Sequence, residues 1–440
     1  MKKGVCTSPA FCGSRFRRFR PITASLAGLA MACLVSCFQP PSPESTPSTP
    51  STPQEEADGS IVPFVVSRNS TGAPALVAEG DNLYLCYYDQ TSKKFLLQRS
   101  ADRGETWDPA LTVYGETIVN LSSAECAMVK NGSSLFILLS DGARMFLAQV
   151  SESGGALSLS GCTEQGFGKC SPVITAMGEG FACACYDPSL DPDETGLASY
   201  LFFGNSYFWD KDVITGLYTN STAQSYPEKW PTGTVAFAGL SLYVDSTGKA
   251  WLAEVRNADS QFRIVSYAHG TLAPPSIAAV NIGETATVYV GGALYPSLGY
   301  ADDSSCYLCY VGRSTGSSAS TLSFYSRFTP AGPSPAAVNR SVVVDSSAGC
   351  SYPKMVYDSG TAYIAYRDTS TRSLGFARGS LDASGTGYSF SRIFLDRVGA
   401  AASDGICALA VSGSLVYVAY LDSSVGGLKL LRSADGGSSW

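Results

Sequence analysis

The sequence predicts an all-β protein built from repeated antiparallel sheets. The main observation is a recurring tyrosine-rich apolar strand, with clear copies at residues 83–89, 307–312, 362–368 and 416–422. No segment of useful length between these strands has the apolar period of a helix. Of the 440 residues, 45% are hydrophobic and only 15% are charged, so the chain can bury a large core.

One turn motif occurs near both ends of the chain, as SADRGETW at residues 100–107 and as SADGGSSW at residues 433–440. Its aspartate can accept hydrogen bonds from the N–H groups of its own turn, and its glycine can supply a positive φ. Its tryptophan can cover the strands underneath. The defining residues are Ser100, Asp102, Gly104 and Trp107 in the first copy and Ser433, Asp435, Gly437 and Trp440 in the second.

This motif resembles the Asp-box, or BNR repeat, of sialidase-like β-propellers, and both copies match it at every defined position. The resemblance implies a turn between the third and fourth strands of a blade, away from the active site. The second strands recur about every 45–60 residues, which is the range of propeller blades. We predict seven blades, with six as the alternative, at residues 70–115, 122–160, 170–219, 238–282, 294–345, 350–396 and 404–440.

The seventh predicted blade lacks a fourth strand after its turn motif. The strand IVPFVVS, at residues 61–67, precedes the first blade and has no assigned partner. Pairing it with the last blade would close the ring and remove an open sheet edge. Pro63 suits an outermost strand, where its missing N–H group can face solvent. We therefore expect an N-terminal strand to close the propeller in its last blade.

The N-terminal residues have the features of an export signal. Six basic and no acidic side chains precede an apolar run at residues 22–35, which is too short to span a bilayer comfortably. The sequence Leu-Val-Ser-Cys that ends at Cys37 resembles a bacterial lipobox, which implies lipid attachment at Cys37; the alternative is an ordinary signal peptide. We expect a lipoprotein signal peptide at residues 1–36, a Pro/Ser/Thr-rich tether at 37–59 and the propeller at 60–440.

The charge of the chain limits its partners. The net charge is −7, and removal of the signal peptide takes away six basic and no acidic side chains, so the remaining chain is more acidic. An acidic protein without a basic run argues against binding to nucleic acid and against electrostatic docking on anionic lipid. We expect a monomer in the cell envelope that contacts the membrane through its N-terminal lipid. Phe38 is not the aspartate that favours inner-membrane retention, so the outer membrane is expected, on its periplasmic or surface face.

The resemblance to sialidases implies three arginines that bind the substrate carboxylate, a Tyr–Glu nucleophile pair and an aspartate acid/base. The nearest string to the usual arginine motif, Phe262-Arg263-Ile264-Val265, lies mid-chain on a predicted third strand. The predicted innermost strands contain no arginine, although Lys354 lies in one of them. A carboxylate clamp needs converging bidentate donors. We therefore assign no catalytic residue and expect no enzyme activity of the sialidase type.

Other chemistry-bearing residues have simpler explanations. His269 is the only histidine, which excludes a multi-histidine metal site. Cys86 and Cys309 occupy a position that is alanine in sister strands, which indicates packing, and residues three apart on a strand, such as Cys306 and Cys309, face opposite sides. The preferred disulfide joins the residues that flank a short loop, Cys162 and Cys170. The acidic loop of Asp187, Asp191, Asp193 and Glu194 lacks EF-hand spacing, so no metal or cofactor is expected.

The sequence favours a membrane-tethered exported propeller that acts without catalysis, as a ligand-binding protein, an envelope scaffold or an adhesin. Its expected partner is a glycan or a protein of the envelope or of a host. Aromatic side chains in the longer connections provide a binding face or cover blade edges: Tyr207, Phe208, Trp209, Tyr226 and Trp230. The alternative is a divergent sialidase-like glycoside hydrolase, with Asp187, Asp302 and Asp303 as candidate acids.

Overall fold

The structure is a computed structural model in which the regular secondary structure of the described residues is entirely β-strand. The described residues are 63–115, 124–165, 170–187, 198–204, 240–256, 261–268, 276–280, 295–302, 305–313, 320–326, 342–347, 349–381, 387–401 and 403–440. Among these residues there is no helix of the length and apolarity that crossing a membrane requires.

Most strands belong to antiparallel groups in which each strand pairs with the next one along the chain. Strand β1 (Phe64–Ser67) precedes the first group. The first two groups are β2 (Ser70–Glu79), β3 (Asn82–Asp89), β4 (Lys94–Ser100) and β5 (Leu111–Tyr114), and β6 (Glu125–Asn131), β7 (Ser134–Ser140), β8 (Met145–Ser153) and β9 (Ala156–Gln165). The next are β10 (Cys170–Met177), β11 (Gly180–Asp187) and β12 (Ala198–Gly204), and β13 (Leu240–Val244), β14 (Lys249–Arg256), β15 (Gln261–Ala268) and β16 (Ser276–Val280).

The remaining groups lie in the last third of the chain. They are β17 (Ser297–Ala301), β18 (Cys306–Arg313), β19 (Ser320–Ser326) and β20 (Val342–Asp345); β21 (Cys350–Asp358), β22 (Thr361–Asp368), β23 (Ser373–Leu381) and β24 (Tyr388–Arg397); and β25 (Cys407–Ser412), β26 (Leu415–Asp422) and β27 (Gly427–Ser433).

The first strand of each group is its innermost strand. Innermost strands contact one another in the order β2, β6, β10, β13, β17, β21, β25 and back to β2. A parallel bridge between Ala73 and Glu125 joins β2 to β6, so the first two groups form one eight-stranded sheet. The described strands therefore close into a propeller-like cycle, and the prediction of an all-β fold is confirmed.

Strand β1 supplies the outer strand of the last group. It pairs antiparallel with β27, with Phe64 opposite Leu430 and Val65 opposite Lys429. Phe64 is buried there in a cluster with Trp107 and Leu430. The segment predicted to close the ring, residues 61–67, thus contains the strand that fills the gap, and Pro63 lies directly before it.

The second strands are apolar along their whole length because both of their faces are covered. In β3, Tyr84, Cys86 and Tyr88 pack in the cluster shared with β6 and β7. The alternate residues, Leu83 and Leu85, pack with β26 and β27. A strand between two packed faces requires apolar residues at every position, which explains the pattern seen in the sequence.

Polar contacts also join neighbouring groups. Lys429 in β27 lies 2.9 Å from Asp396 in β24 and 2.7 Å from Asp422 at the end of β26. Tyr420 in β26 donates a hydrogen bond of 2.5 Å to the same carboxyl of Asp396. Lys429 and Asp422 are buried, so this ion-pair cluster lies inside the boundary between the last two groups.

Candidate functional site

A cavity of about 290 Å³ opens at the end of the cycle where the innermost strands begin. Its wall contains residues at or next to the start of every innermost strand. These are residues 72–74, 124–126, 171–173, 240, 295–296, 352–354, 403 and 406. Because each strand group contributes to the wall, the ring closure itself forms this cavity, which we call the central pocket.

Left-handed residues recur where the innermost strands enter the central pocket. The φ angle is +81° at Gly72 and +76° at Gly405. It is +53° at Ser171 and +51° at Tyr352, although both carry a Cβ and both precede a proline, where extended backbone is preferred. Glycine adopts this conformation without strain, whereas a non-glycine residue there costs on the order of 1–3 kcal/mol, and such residues cluster at functional sites. This backbone strain marks the pocket wall as a candidate site.

Glu125 is the only acidic residue among the described residues that line the pocket. Its Oε2 atom accepts a hydrogen bond of 2.7 Å from the backbone N–H of Ser171. Burial raises the pKa of the Glu125 carboxyl, and the Ser171 hydrogen bond and the charge of Lys354 oppose this only in part. The carboxyl therefore keeps its proton to a higher pH than an exposed glutamate does, as a general acid requires.

Two tyrosines form an aromatic part of the wall. The rings of Tyr295 and Tyr352 lie with their centroids 4.4 Å apart, at an angle of 38°. Burial, together with a hydrogen bond between the two hydroxyls, raises the pKa of Tyr295, whereas the charge of Arg367 lowers it. Tyr295 is thus a neutral hydroxyl at physiological pH, and the pair offers apolar faces and polar edges to a ligand.

Lys354 is the only basic residue among the described lining residues, and it is exposed. It follows Pro353 at a register shift in β21, where the strand bends at the pocket. A cation, a protonatable carboxyl and tyrosine faces together suit a ligand rich in hydroxyl or carboxylate groups. The described residues contain no group of three or more His, Cys, Asp or Glu side chains arranged to hold a metal ion.

The turn-motif residues lie at the opposite end of the sheets. Ser100 pairs with Leu83, at the turn between β2 and β3, whereas the pocket lies at the start of β2. Asp102 accepts hydrogen bonds from the N–H (2.8 Å) and the hydroxyl (2.6 Å) of Thr106, and Gly104 has a φ of +87°. The second copy repeats this arrangement, with Ser439 bonded to Asp435 and a φ of +82° at Gly437.

Each turn motif also contacts the preceding strand group. Arg432 in β27 donates to the carbonyl of Arg103 in the first turn (3.3 Å), and Arg378 in β23 donates to Ser438 in the last turn (3.0 Å). Trp107 packs against the last group, and the Trp440 ring lies 4.8 Å from that of Phe376. The motif residues therefore stabilise the contacts between strand groups and do not line the central pocket.

The structure corrects one candidate acid of the hydrolase alternative. Asp302 follows β17 at the end away from the pocket, where it accepts hydrogen bonds from Tyr300 and from the backbone of Ser305, both of 2.5 Å. It serves a local turn, because that end of an innermost strand points away from the pocket. Asp303 and the Asp187 side chain lie outside the described residues.

Other sequence-predicted residues also lie partly outside the described part. Arg263 is on β15, a third strand as predicted. Cys162 is on β9, and its pairing with Cys170 stays a prediction because the Cys170 side chain is not described. The undescribed candidates are Cys37, His269, the acidic residues Asp191, Asp193 and Glu194, and the loop aromatics Tyr207, Phe208, Trp209, Tyr226 and Trp230.

Sequence reasoning missed Glu125, Ser171, Tyr295 and Tyr352. A usable signal was present, because Pro74, Pro172, Pro296 and Pro353 recur near the beginning of innermost strands and all line the pocket. A proline at the start of a strand or at a bulge is a positional marker.

No family model matches the chain, and no curated protein matches it. Solved structures that resemble it include hydrazine synthase of Kuenenia stuttgartiensis (9% identity, 84% of this chain, 96% of that chain, TM-score 0.48). Others are the GH43_1 enzyme from Xanthomonas citri complexed with xylose (10%, 85%, 90%, 0.35) and a Hadza microbial sialidase (10%, 83%, 66%, 0.39). The chain spans about half (50%) of the length of a prolyl endopeptidase that it also resembles. All these identities are below 25% and all these TM-scores below 0.5, so no role of these proteins is transferred to this chain.

Proposed function

We propose that the protein acts on a carbohydrate in the central pocket, as a divergent glycoside hydrolase. The observation that supports this proposal is Glu125, a carboxyl with a raised pKa in the wall of a cavity that also offers a cation and a tyrosine pair. A glycosidase needs one carboxylic acid that protonates the leaving oxygen. Glu125 has the protonation behaviour and the exposure to the pocket for that role.

The second carboxylate is sought in the acidic loop. Strand β11 ends at Asp187, and its residue Tyr186 pairs with Cys170, next to the pocket-lining residue Ser171. The loop acids Asp191, Asp193 and Glu194 follow β11 in the chain. We propose that one of them supplies the nucleophile or the base. The three-arginine clamp of sialidases is not part of this proposal, because no arginine is among the described lining residues.

We propose that the fold is a seven-bladed, sialidase-like β-propeller with Asp-box turns. The closed order of seven innermost strands supports the blade count. The matching hydrogen bonds of Asp102 and Asp435 support the assignment of the turns.

The second candidate function is ligand binding without turnover, by an adhesin or an envelope scaffold. The observation in its favour is that the described pocket wall holds one carboxylate, whereas hydrolysis of a glycosidic bond uses two. Binding by the tyrosine pair and Lys354 requires no second acid.

The envelope location is also proposed. The signal-like residues 1–36, the lipobox-like residues that end at Cys37 and the tether at 37–59 support a lipid-anchored protein of the outer membrane. Replacing Cys37 with alanine should abolish incorporation of a labelled fatty acid and should release the protein from the membrane fraction. Label retained in that variant would reject lipid attachment at Cys37.

The function is tested with a panel of sialylated, neutral and uronate-containing oligosaccharides, with product release and ligand retention followed by mass spectrometry. Turnover that falls by about 10²–10⁴-fold in Glu125→Gln, with retention preserved, supports the hydrolase. Glu179→Gln, in an exposed turn, is the matched control and should behave as wild type. Retention without turnover supports the second candidate. The absence of both turnover and retention would reject a carbohydrate ligand.

A further inference from the structure

Two cysteines from different strand groups meet in one buried cluster. Cys86 lies in the middle of β3 and Cys126 near the start of β6. Both belong to the core between the first two groups, where Cys86 is fully buried and Cys126 is 6% exposed. The bridge between Ala73 and Glu125 holds the two groups together at this point, so the backbone around both cysteines is fixed.

The sulfur of Cys126 lies directly against the other cysteine. Its thiol donates hydrogen bonds of 3.2 Å to the carbonyl oxygens of Cys86 and of Ala73, and Cys86 and Cys126 are both free thiols in this structure. Bonded cysteines have Cα atoms 4.4–6.8 Å apart, and a disulfide here requires a change of rotamer that turns the Cys126 sulfur from the Cys86 carbonyl oxygen toward the Cys86 sulfur. The Cys86 thiol also contributes, after burial, to the raised pKa of the Cys126 thiol, as expected for two adjacent sulfurs.

We propose that Cys86 and Cys126 form a disulfide that joins the first two strand groups beside the central pocket. The oxidant is a small-molecule or protein disulfide. The thiolate of one cysteine attacks the oxidant, and one of its sulfurs leaves as a thiol. The second thiolate then attacks the mixed disulfide and releases the other sulfur. The two cysteine thiol protons end on the two leaving sulfurs, and the two electrons reduce the oxidant to two thiols.

Packing alone is the competing explanation, because alanine occupies the position of Cys86 in two sister strands, at residues 365 and 419. Packing accounts for a small residue there, but it does not require the sulfur of Cys126 to contact the same residue. Cys309 provides a contrast, since it holds the corresponding position in β18 and pairs across the sheet with Ser297. It is therefore the matched control.

The bond would form before the core is complete. Burial raises the pKa of the Cys126 thiol well above its ordinary value, and the thiolate is the reactive form. Exchange is therefore fast in the folding chain and slow in the folded ring. Cys126 directly follows Glu125, so the bond would also fix the start of β6 that carries the pocket carboxyl.

The test is peptide mapping of the full chain folded in a buffer of oxidised and reduced glutathione. After the remaining thiols are alkylated without reduction, trypsin separates the two cysteines, because Lys93, Lys94, Arg99 and Arg103 lie between them. We expect one linked peptide that contains both cysteines and that disappears on reduction. Cys86→Ala should lose the linked peptide, and Cys309→Ala should keep it.

Recovery of both cysteines as alkylated monomeric peptides from the wild-type chain would overturn the proposal, whether or not any variant folds. A second readout is thermal unfolding. Reductant should lower the melting temperature of the wild type by several degrees more than that of the Cys86→Ala/Cys126→Ala double variant. An equal effect of reductant on both proteins would also count against the bond.

Discussion

Replacing Lys429 with methionine should strongly destabilise the protein, because this lysine neutralises two carboxylates between the last two strand groups. Its Nζ atom lies 2.9 Å from Asp396 and 2.7 Å from Asp422, and the lysine is only 8% exposed. Methionine keeps most of the apolar stem but removes the charge. Breaking a buried ion pair from one side costs about 3–5 kcal/mol, because the remaining charge is left uncompensated.

The pH dependence separates this electrostatic effect from lost packing. Burial raises the pKa of Asp422, but the hydrogen bonds from Lys429 and Ser424 and the charge of Lys429 outweigh it, so the pKa is lowered on folding. Such a carboxyl stabilises the folded state above its unfolded pKa of about 3.9, and this stabilisation is lost as the pH falls through the folded pKa. The difference in free energy of unfolding between the wild type and Lys429→Met should therefore become smaller below about pH 4.

The assay is urea unfolding followed by circular dichroism at several pH values. Lys93→Met, in the exposed turn after β3, is the control and should change the free energy of unfolding by less than about 0.5 kcal/mol. A loss below about 1 kcal/mol for Lys429→Met at pH 7, the range of exposed pairs, would refute a buried ion pair. A large loss that does not change with pH would assign the effect to packing.

Three further outcomes are expected. Gly72→Ala should reduce the melting temperature far more than Gly80→Ala in a thermal scan. Both glycines have positive φ, but only at Gly72 would a Cβ lie 1.7 Å from a backbone oxygen, that of Ala124. Equal losses would show that the strand junction can move. Asp435→Asn should lower stability at pH 7 and lower it less at pH 2. Hydrogen bonds from Ser439 and Ser433 lower the pKa of Asp435, and their benefit declines as the pH falls below the unfolded pKa of about 3.9. Urea unfolding at both pH values measures this, and a pH-independent loss would contradict it. If turnover is found, its rate should fall on the alkaline side at a pH above the ordinary glutamate range, because the Glu125 pKa is raised; a pH–rate profile checks this.

The fold class could be read from the sequence because its signals are local. A second strand such as residues 416–422 is apolar throughout since both faces are buried, and the pattern survives in each copy. The closing strand was found by elimination, as a β-type segment without a partner. Blade boundaries were less accurate, because the last strand of a group, such as β9, runs to Gln165 rather than 160 and has few buried positions to mark it.

The pocket could not be read in the same way, because its chemistry arises between strands. Glu125 is an ordinary glutamate in sequence, and its pKa is raised by a burial that exists only in the folded ring, where β6 packs beside β10; the hydrogen bond from Ser171 opposes that rise in part. Ser171 and Tyr352 adopt positive φ although nothing in their residue type indicates it. Asp302 shows the opposite case, a residue that the sequence suggests as a catalytic acid because two aspartates are adjacent in a connection. In the structure Asp302 stabilises a local turn.

Strand β1, the first described strand, cannot pair until β27, the last described strand, has been synthesised. Phe64 is synthesised 366 residues before its partner Leu430. Until then β1 has no partner, and the ring keeps an open edge at each side of the gap. Contacts so distant in sequence form slowly, because the entropy of closing the loop must be overcome first. Folding should therefore end with a single step in which β1 pairs with β27. A stalled or shortened chain should expose strand edges that favour aggregation.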